Sequence, residues 1–165
     1  MKLQFCTLFD SGYLSRGLAM YKSLLLHCDD FHLYVFAFDD KVFDYFSTHS
    51  YENLTVISLE SFEDEELRRV KPSRTTGEYC WTCSSSTILY CLENFNLDHC
   101  TYVDADILFY DSPTVLIDEM LDKDVLITEH RYTDEYDQSA DSGIFCVQFI
   151  TFRSTTVGLQ ILNWW

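Results

Sequence analysis

His99-Cys100-Thr101-Tyr102-Val103-Asp104-Ala105-Asp106-Ile107-Leu108-Phe109-Tyr110 is the stretch on which the fold turns. A short, apolar-leaning run ends at an acid, a small residue and a second acid. The pattern predicts a buried strand over 99–103, with 107–110 continuing extended. Residues two apart on an extended chain face the same side, so Asp104 and Asp106 are expected to point into one space. Carboxylates held that close repel each other unless a cation sits between them. Hard divalent ions such as Mg²⁺ or Mn²⁺ take oxygen ligands and bridge to phosphates. A solvated Asp-x-Asp at a strand end is the plainer alternative.

Working outward, Leu3–Phe9 is an apolar run that stops at Asp10-Ser11-Gly12, a strand entering a turn. Leu14, Leu18, Tyr21, Leu25 and Cys28 then recur at helical spacing, with Asp10 or Ser11 as the expected N-cap. Phe31–Phe38 and Leu54–Leu59 read as strands, with a short helix capped by Asp39 or Asp40 between them. Ser61–Val70 reads as one solvated helix, acids first and Arg68-Arg69 last, as the helix dipole favours. Glu78–Phe95 is a longer helix. Beyond the acidic pair come a helix from Ser112-Pro113 to about Leu121, a strand at Val125–Thr128 and a polar loop at His130–Ala140. A long strand at Ile144–Phe152 and a helix from Val157 follow. Strands alternating with helices predict an α/β layered fold with a mostly parallel sheet. Ligands of such sheets sit off the carboxyl ends of strands, where Asp10 and Asp104 fall.

With 165 residues, one domain is expected. The net charge is −16: eight bases meet thirteen acids through residue 82, and three meet fourteen beyond it. Such a surface repels phosphate backbones, so nucleic acid and anionic membranes are poor partners. A phosphate-bearing small molecule needs a metal or a local basic group to offset that charge. No stretch has the length of a membrane span, and the N-terminus lacks a signal-peptide core, so the expected location is cytoplasmic. Seven cysteines without an export signal favour reduced thiols. Cys80-Trp81-Thr82-Cys83 matches a C-x-x-C pair, open to a redox role or to half a zinc site completed by Cys91 or Cys100. No strand precedes it and the second half-site is badly spaced, which favours small apolar packing.

The chain resembles the GT-A glycosyltransferases of the retaining, glycogenin-like group and their bacterial relatives, in the nucleotide-diphospho-sugar transferase superfamily. Four stretches carry the likeness, in family order. Phe5-Cys-Thr-Leu-Phe-Asp-Ser-Gly-Tyr13 with Gly17–Leu24 resembles the nucleotide-binding first strand and helix. Glu78–Thr82 through Leu92-Glu93 resembles the helix before the metal motif. Tyr102–Phe109 with Asp111-Ser-Pro113 resembles the Asp-x-Asp block, the most specific of the four. Ser142–Phe149 through Phe152 resembles the strand beside the acceptor. The resemblance implies a three-layer α/β/α, Rossmann-like domain. It implies transfer of a sugar from a nucleotide-diphosphate donor, a UDP-sugar above all, to a carbohydrate, protein or lipid acceptor, with retention of the anomeric configuration. Asp106 would bind Mn²⁺ or Mg²⁺ directly; Asp104 would bind the metal and reach the donor ribose. Asp10 would lie near base or ribose, and Tyr13 would stack on uracil. Gln148 would hydrogen-bond the acceptor or donor sugar; the alternative is a buried amide paired with backbone.

Departures accompany the likeness. The helix before the metal motif usually carries an Arg, where this chain has Ser84-Ser85-Ser86-Thr87; Arg74 or Arg131 would have to substitute. The family's Asn-x-Gly in the later strand is Cys146-Val147-Gln148 here. The later His that completes the metal shell has no counterpart, and the domain is expected to be incomplete at its C-terminus. Two other functions compete: a non-catalytic nucleotide-sugar-binding remnant, and a haloacid-dehalogenase-type phosphatase with Asp104 as nucleophile.

Overall fold

The computed structural model describes all residues, Met1–Trp165. In chain order the elements are β1 (Leu3–Phe9), α1 (Leu14–His27), β2 (Phe31–Ala37), α2 (Asp40–Thr48), β3 (Leu54–Ser58), α3 (Leu59–Phe62) and α4 (Glu65–Val70). Then come α5 (Thr76–Asn94), β4 (His99–Val103), α6 (Thr114–Asp118), β5 (Val125–Glu129), α7 (Ser139–Ser142), β6 (Phe145–Arg153) and α8 (Thr156–Trp164). The strands form one sheet in the order β3-β2-β1-β4-β6-β5. β1 pairs in parallel with β2 and β4, and β2 with β3. β6 alone is reversed, antiparallel to both β4 and β5.

Both faces of the sheet are covered, which is why β1 and β2 are near-continuous apolar runs. One face packs Phe5, Phe9, Phe31 and Val35 against Met20, Tyr21 and Leu24 of α1, Val42 and Phe46 of α2 and Ile117 of α6. The other packs Leu8, Tyr34, Phe36, Tyr102, Ile150 and Phe152 against Ile88 and Leu92 of α5, Phe62, Leu67 of α4 and Leu162 of α8. The result is the expected three-layer α/β/α sandwich. The sheet has a topological switch: from β1 the chain builds outward to β3, then returns to lay β4 on β1's other side. A crevice opens where two adjacent parallel strands send their chains opposite ways, here at the carboxyl ends of β1 and β4.

The structure departs from the sequence expectations at several points. Neither Asp10 nor Ser11 caps α1 with its side chain; Tyr13 occupies the cap position, and its N–H donates to the Asp10 carbonyl at 3.0 Å. Asp10 instead turns its carboxylate onto the Gly12 N–H at 2.9 Å. The expected helix over 61–70 is two helices, because Asp64 caps α4 by accepting the Leu67 N–H at 2.8 Å and interrupts the run. A turn intervenes after β4: the Ile107 N–H donates to the Asp104 carbonyl at 3.3 Å, closing it over Ala105-Asp106, and residues 107–110 join no strand. The polar 130–140 segment holds a 3₁₀ turn at Asp134–Tyr136 and the start of α7. Asp39 caps α2 as expected, accepting the Val42 N–H at 2.9 Å.

All seven cysteines are free. Cys80 and Cys83 lie within α5, so the C-x-x-C does not open a helix after a strand. Burial pushes the Cys80 thiol up to about 11, helped by the Asp10 charge, and the Cys83 thiol up to about 12. Those are poor nucleophiles, in keeping with packing rather than redox chemistry. Nor does Cys91 or Cys100 approach them as a zinc partner; both converge on Cys6 instead. No helix is long and apolar enough to cross a membrane.

Candidate active site

At the switch point lies a cleft of about 460 Å³, lined by Leu8, Phe9, Asp10, Tyr13, Thr76, Gly77, Cys80, Trp81, Tyr102, Asp104, Ala105 and Asp106. Its floor is the end of β1 and β4, and its two walls are the starts of α1 and α5. Asp10, Tyr13, Asp104 and Asp106, far apart in sequence, therefore meet in one space.

Each wall has a local cause. The turn after β1 is held by Asp39, whose carboxylate accepts the Ser11 N–H at 2.8 Å while capping α2. Burial opposes ionisation of Asp39, but these N–H groups outweigh it and hold its carboxyl below the usual range. The opposite wall is fixed by a capping box. The Thr75 N–H donates to Glu78 at 2.7 Å and the Glu78 N–H to Thr75 Oγ1 at 3.3 Å, starting α5 at Thr76 rather than Glu78. One turn later the helix presents Cys80 and Trp81 to the cleft.

The acidic pair is brought together by the turn rather than by an extended strand. The Asp104 N–H donates to the Gln148 carbonyl at 3.0 Å, which ties the motif to β6. The Tyr102 hydroxyl donates to Asp104 Oδ1 at 3.0 Å. Burial, and then the neighbouring Asp106 charge, raise the Asp104 carboxyl above its ordinary value, with the Tyr102 hydroxyl opposing them. Two hard oxygen donors that repel each other at the mouth of a cleft fit a divalent cation such as Mn²⁺ or Mg²⁺, which would relieve the strain on Asp104.

Arg16 supplies the local positive charge that sequence reasoning did not assign. It lies one helical turn after Tyr13, its guanidinium 4.5 Å from the Tyr13 ring centre, with Nη1 4.0 Å from Asp106 Oδ2. Neither Arg74 nor Arg131 lines the cleft; Arg131 borders a separate depression with Glu129, Tyr132 and Asp134. Arg16 and Asp106 are both about half exposed, at 57% and 50%. Their ion pair is therefore weakly held and free to be exchanged for an incoming anion. Trp81 was missed as well. It lines the same cleft as Tyr13 and, at 76% exposed against 43% for Tyr13, offers a second flat apolar surface. The i, i+3 spacing of Tyr13 and Arg16 was the available signal for the first; nothing in the sequence marked the second.

Gln148 is not among the cleft's lining residues, and it is solvent-exposed rather than a buried amide. Only its backbone carbonyl touches the motif, by accepting the Asp104 N–H.

No family model matches the chain. Among curated relatives, the uncharacterized proteins YfnD and YfnF of Bacillus subtilis (strain 168) are similar to it. YfnD is 28% identical over 163 residues, covering 98% of this chain and 52% of YfnD. YfnF is 26% identical over 175 residues, covering 100% of this chain and 57% of YfnF. The chain thus spans about half the length of the curated relatives it matches. Among solved structures, the apo WbbM bifunctional glycosyltransferase superposes with a TM-score of 0.58 at 14% identity, over 98% of this chain and 33% of that one. The apo glycosyltransferase GlyE of Streptococcus pneumoniae TIGR4 gives 0.55 at 14% identity, over 99% and 37%. At such identity the likeness concerns architecture: the chain has the GT-A-like, three-layer α/β/α fold of nucleotide-sugar transferases, with a mostly parallel central sheet.

Proposed function

We propose that this chain is the donor-binding part of a retaining glycosyltransferase that uses a nucleoside-diphosphate sugar, specifically a uridine-linked one. A single observation carries the proposal. Asp10, Tyr13, Asp104 and Asp106 arrive from two strand ends and one helix start, and they line one cleft at the switch point of the sheet. That is where α/β folds bind nucleotides.

Each residue has a part that its chemistry suits. Tyr13 offers a face for the base, with Trp81 lining the same cleft; stacking needs only a flat apolar surface. Asp10 accepts a hydrogen bond from the base or a ribose hydroxyl. Asp104 and Asp106 hold Mn²⁺ or Mg²⁺, whose contribution is to neutralise the leaving diphosphate as a Lewis acid. Arg16 exchanges Asp106 for a diphosphate oxygen and so meets the need for a basic group in an acidic chain. Gln148, on β6, hydrogen-bonds the sugar undergoing transfer or its acceptor, which is a carbohydrate, protein or lipid. No cleft carboxylate stands free of these duties to act as nucleophile, which favours attack on the same face that the leaving group departs.

A haloacid-dehalogenase-type phosphatase fits less well. Its nucleophile strand comes first in the chain, whereas the Asp-x-Asp strand here is the fourth. Calorimetric titration of uridine diphosphate decides the matter. Binding in Mn²⁺ that disappears with chelator and in the Asp104→Ala, Asp106→Ala double variant is the expected result. Metal-independent binding would sink the role of the acidic pair. Phosphate release from an aryl phosphate would favour the phosphatase.

A further inference from the structure

Away from the cleft, on the α5 side of the sheet, three thiols meet. Cys6 of β1, Cys91 of α5 and Cys100 of β4 have no solvent exposure, and their sulfur atoms all lie within 4.8 Å of one another. The sequence separates them widely, and the remaining cysteines do not join them. The hydroxyl of Thr87, one turn before Cys91 on α5, stands 3.6 Å from Cys6 Sγ. The same buried cluster holds Leu8, Ile88 and Phe152, together with the rings of Tyr34 and Tyr102.

We propose that Cys6, Cys91 and Cys100 form a buried binding site for a thiophilic d¹⁰ cation of the Zn²⁺ class. Three features support it. Zinc–sulfur bonds of about 2.3 Å place ligand sulfurs about 4 Å apart, so the trio needs to contract by less than about 1 Å, within reach of small χ1 changes. Soft thiolates select soft or borderline cations and are poor ligands for Mg²⁺ and Mn²⁺, so this site and the acidic pair do not compete for one ion. Lastly, binding converts three weakly interacting S–H groups into coordinate bonds. The three thiol protons leave to solvent, and the divalent charge offsets most of the three negative charges that a dry site could not otherwise tolerate.

The site's position gives it a consequence. The strands carrying Cys6 and Cys100 end at Asp10 and Asp104, and the helix carrying Cys91 begins with the wall that holds Gly77, Cys80 and Trp81. A bound ion ties together the three elements whose far ends line the cleft. It stabilises the chain to the extent that it binds the assembled trio more tightly than the scattered thiols of the unfolded chain.

The test uses the full chain prepared in chelator and titrated with Co²⁺ under reducing conditions. Expected are one equivalent of Co²⁺ per chain, a near-ultraviolet thiolate-to-cobalt charge-transfer band, displacement by Zn²⁺ and a raised melting temperature on Zn²⁺ addition. The band reports sulfur ligation, so cobalt on Asp104 and Asp106 does not contribute to it. Cys91→Ala and Cys100→Ala should each weaken binding at least about 100-fold. The Cys80→Ser, Cys83→Ser double variant should keep the band intact. Should the core variants fail to fold, the wild-type band and that double variant still decide. A wild-type chain with no sulfur band, a band abolished by the Cys80→Ser, Cys83→Ser changes, or a disulfide within the trio would each overturn the proposal.

Discussion

Gly158 sits in the first turn of α8, where an added Cβ would lie 2.2 Å from the Arg153 carbonyl oxygen at the end of β6. An ordinary carbon–oxygen contact is about 3.2 Å, so Gly158→Ala must part helix from strand by about 1 Å. The obstacle is backbone, not the tip of a side chain that can swing aside. Separation also strains the cap of α8, in which the Gly158 N–H donates to Thr155 Oγ1 at 3.0 Å. Loss of a cap costs about 1 kcal/mol. Overpacking costs about 1–3 kcal/mol. The intrinsic gain of alanine over glycine in a helix, about 0.5–1 kcal/mol, offsets part of this. The net loss is then about 2 kcal/mol, or roughly 4–8 °C in Tm for a chain of this size. Thermal unfolding followed by circular dichroism reads it directly. A melting temperature unchanged or raised by Gly158→Ala would refute the reasoning, because it would mean that α8 does not seat on β6 this closely.

Gly77→Ala is the counterpart. A Cβ there meets nothing within 4 Å, so the substitution should raise stability by about 0.5–1 kcal/mol in the same melt. Asp104→Asn should raise the Tm of the metal-free chain at neutral pH. Burial lifts the folded-state carboxyl above its unfolded value, so the folded chain holds that proton more tightly. Asp104 therefore favours folding at acid pH and loses that contribution as pH rises through the folded value. The gap between variant and wild type should close as pH falls, and a constant gap would contradict this. Arg16→Ala should change stability by less than about 0.5 kcal/mol, since its ion pair is exposed. It should nevertheless weaken Mn²⁺-dependent uridine diphosphate binding by about 10- to 100-fold in calorimetry, the worth of a charged hydrogen bond. Unaltered affinity would remove Arg16 from the donor site.

Strand positions were legible because β1, β2 and β4 are buried on both faces, which leaves uninterrupted apolar runs. The acidic pair was legible as a pair, but the geometry uniting it was not. Extended backbone and a tight turn over Ala105-Asp106 both leave two carboxylates near each other, and the same residue pattern is compatible with either. The break between α3 and α4 escaped notice because Asp64 reads equally as a helix-start acid and as the cap that begins a new helix. Arg16 went unassigned for a different reason. Its nearness to Asp106 depends on β4 returning beside β1, a fact of strand order that periodicity does not contain. The meeting of Cys6, Cys91 and Cys100 has the same origin: adjacent parallel strands and the helix above them join residues that the sequence keeps apart.

The reversal of β6 shapes how such a molecule can change over evolutionary time. Every other strand delivers its chain outward at the cleft, so the loops after β1 and β4 are anchored at the point where their residues are needed. β6 enters there instead, and Gln148 grips the Asp104 backbone from an arriving strand. The exposed segment feeding it, residues 130–144, has one obligation, to bring Phe145 into register beside Glu129. Its length and composition can drift without disturbing Asp10, Asp104 or Asp106. One half of the site is thereby anchored by the sheet, while its neighbour is tied down only at its two ends.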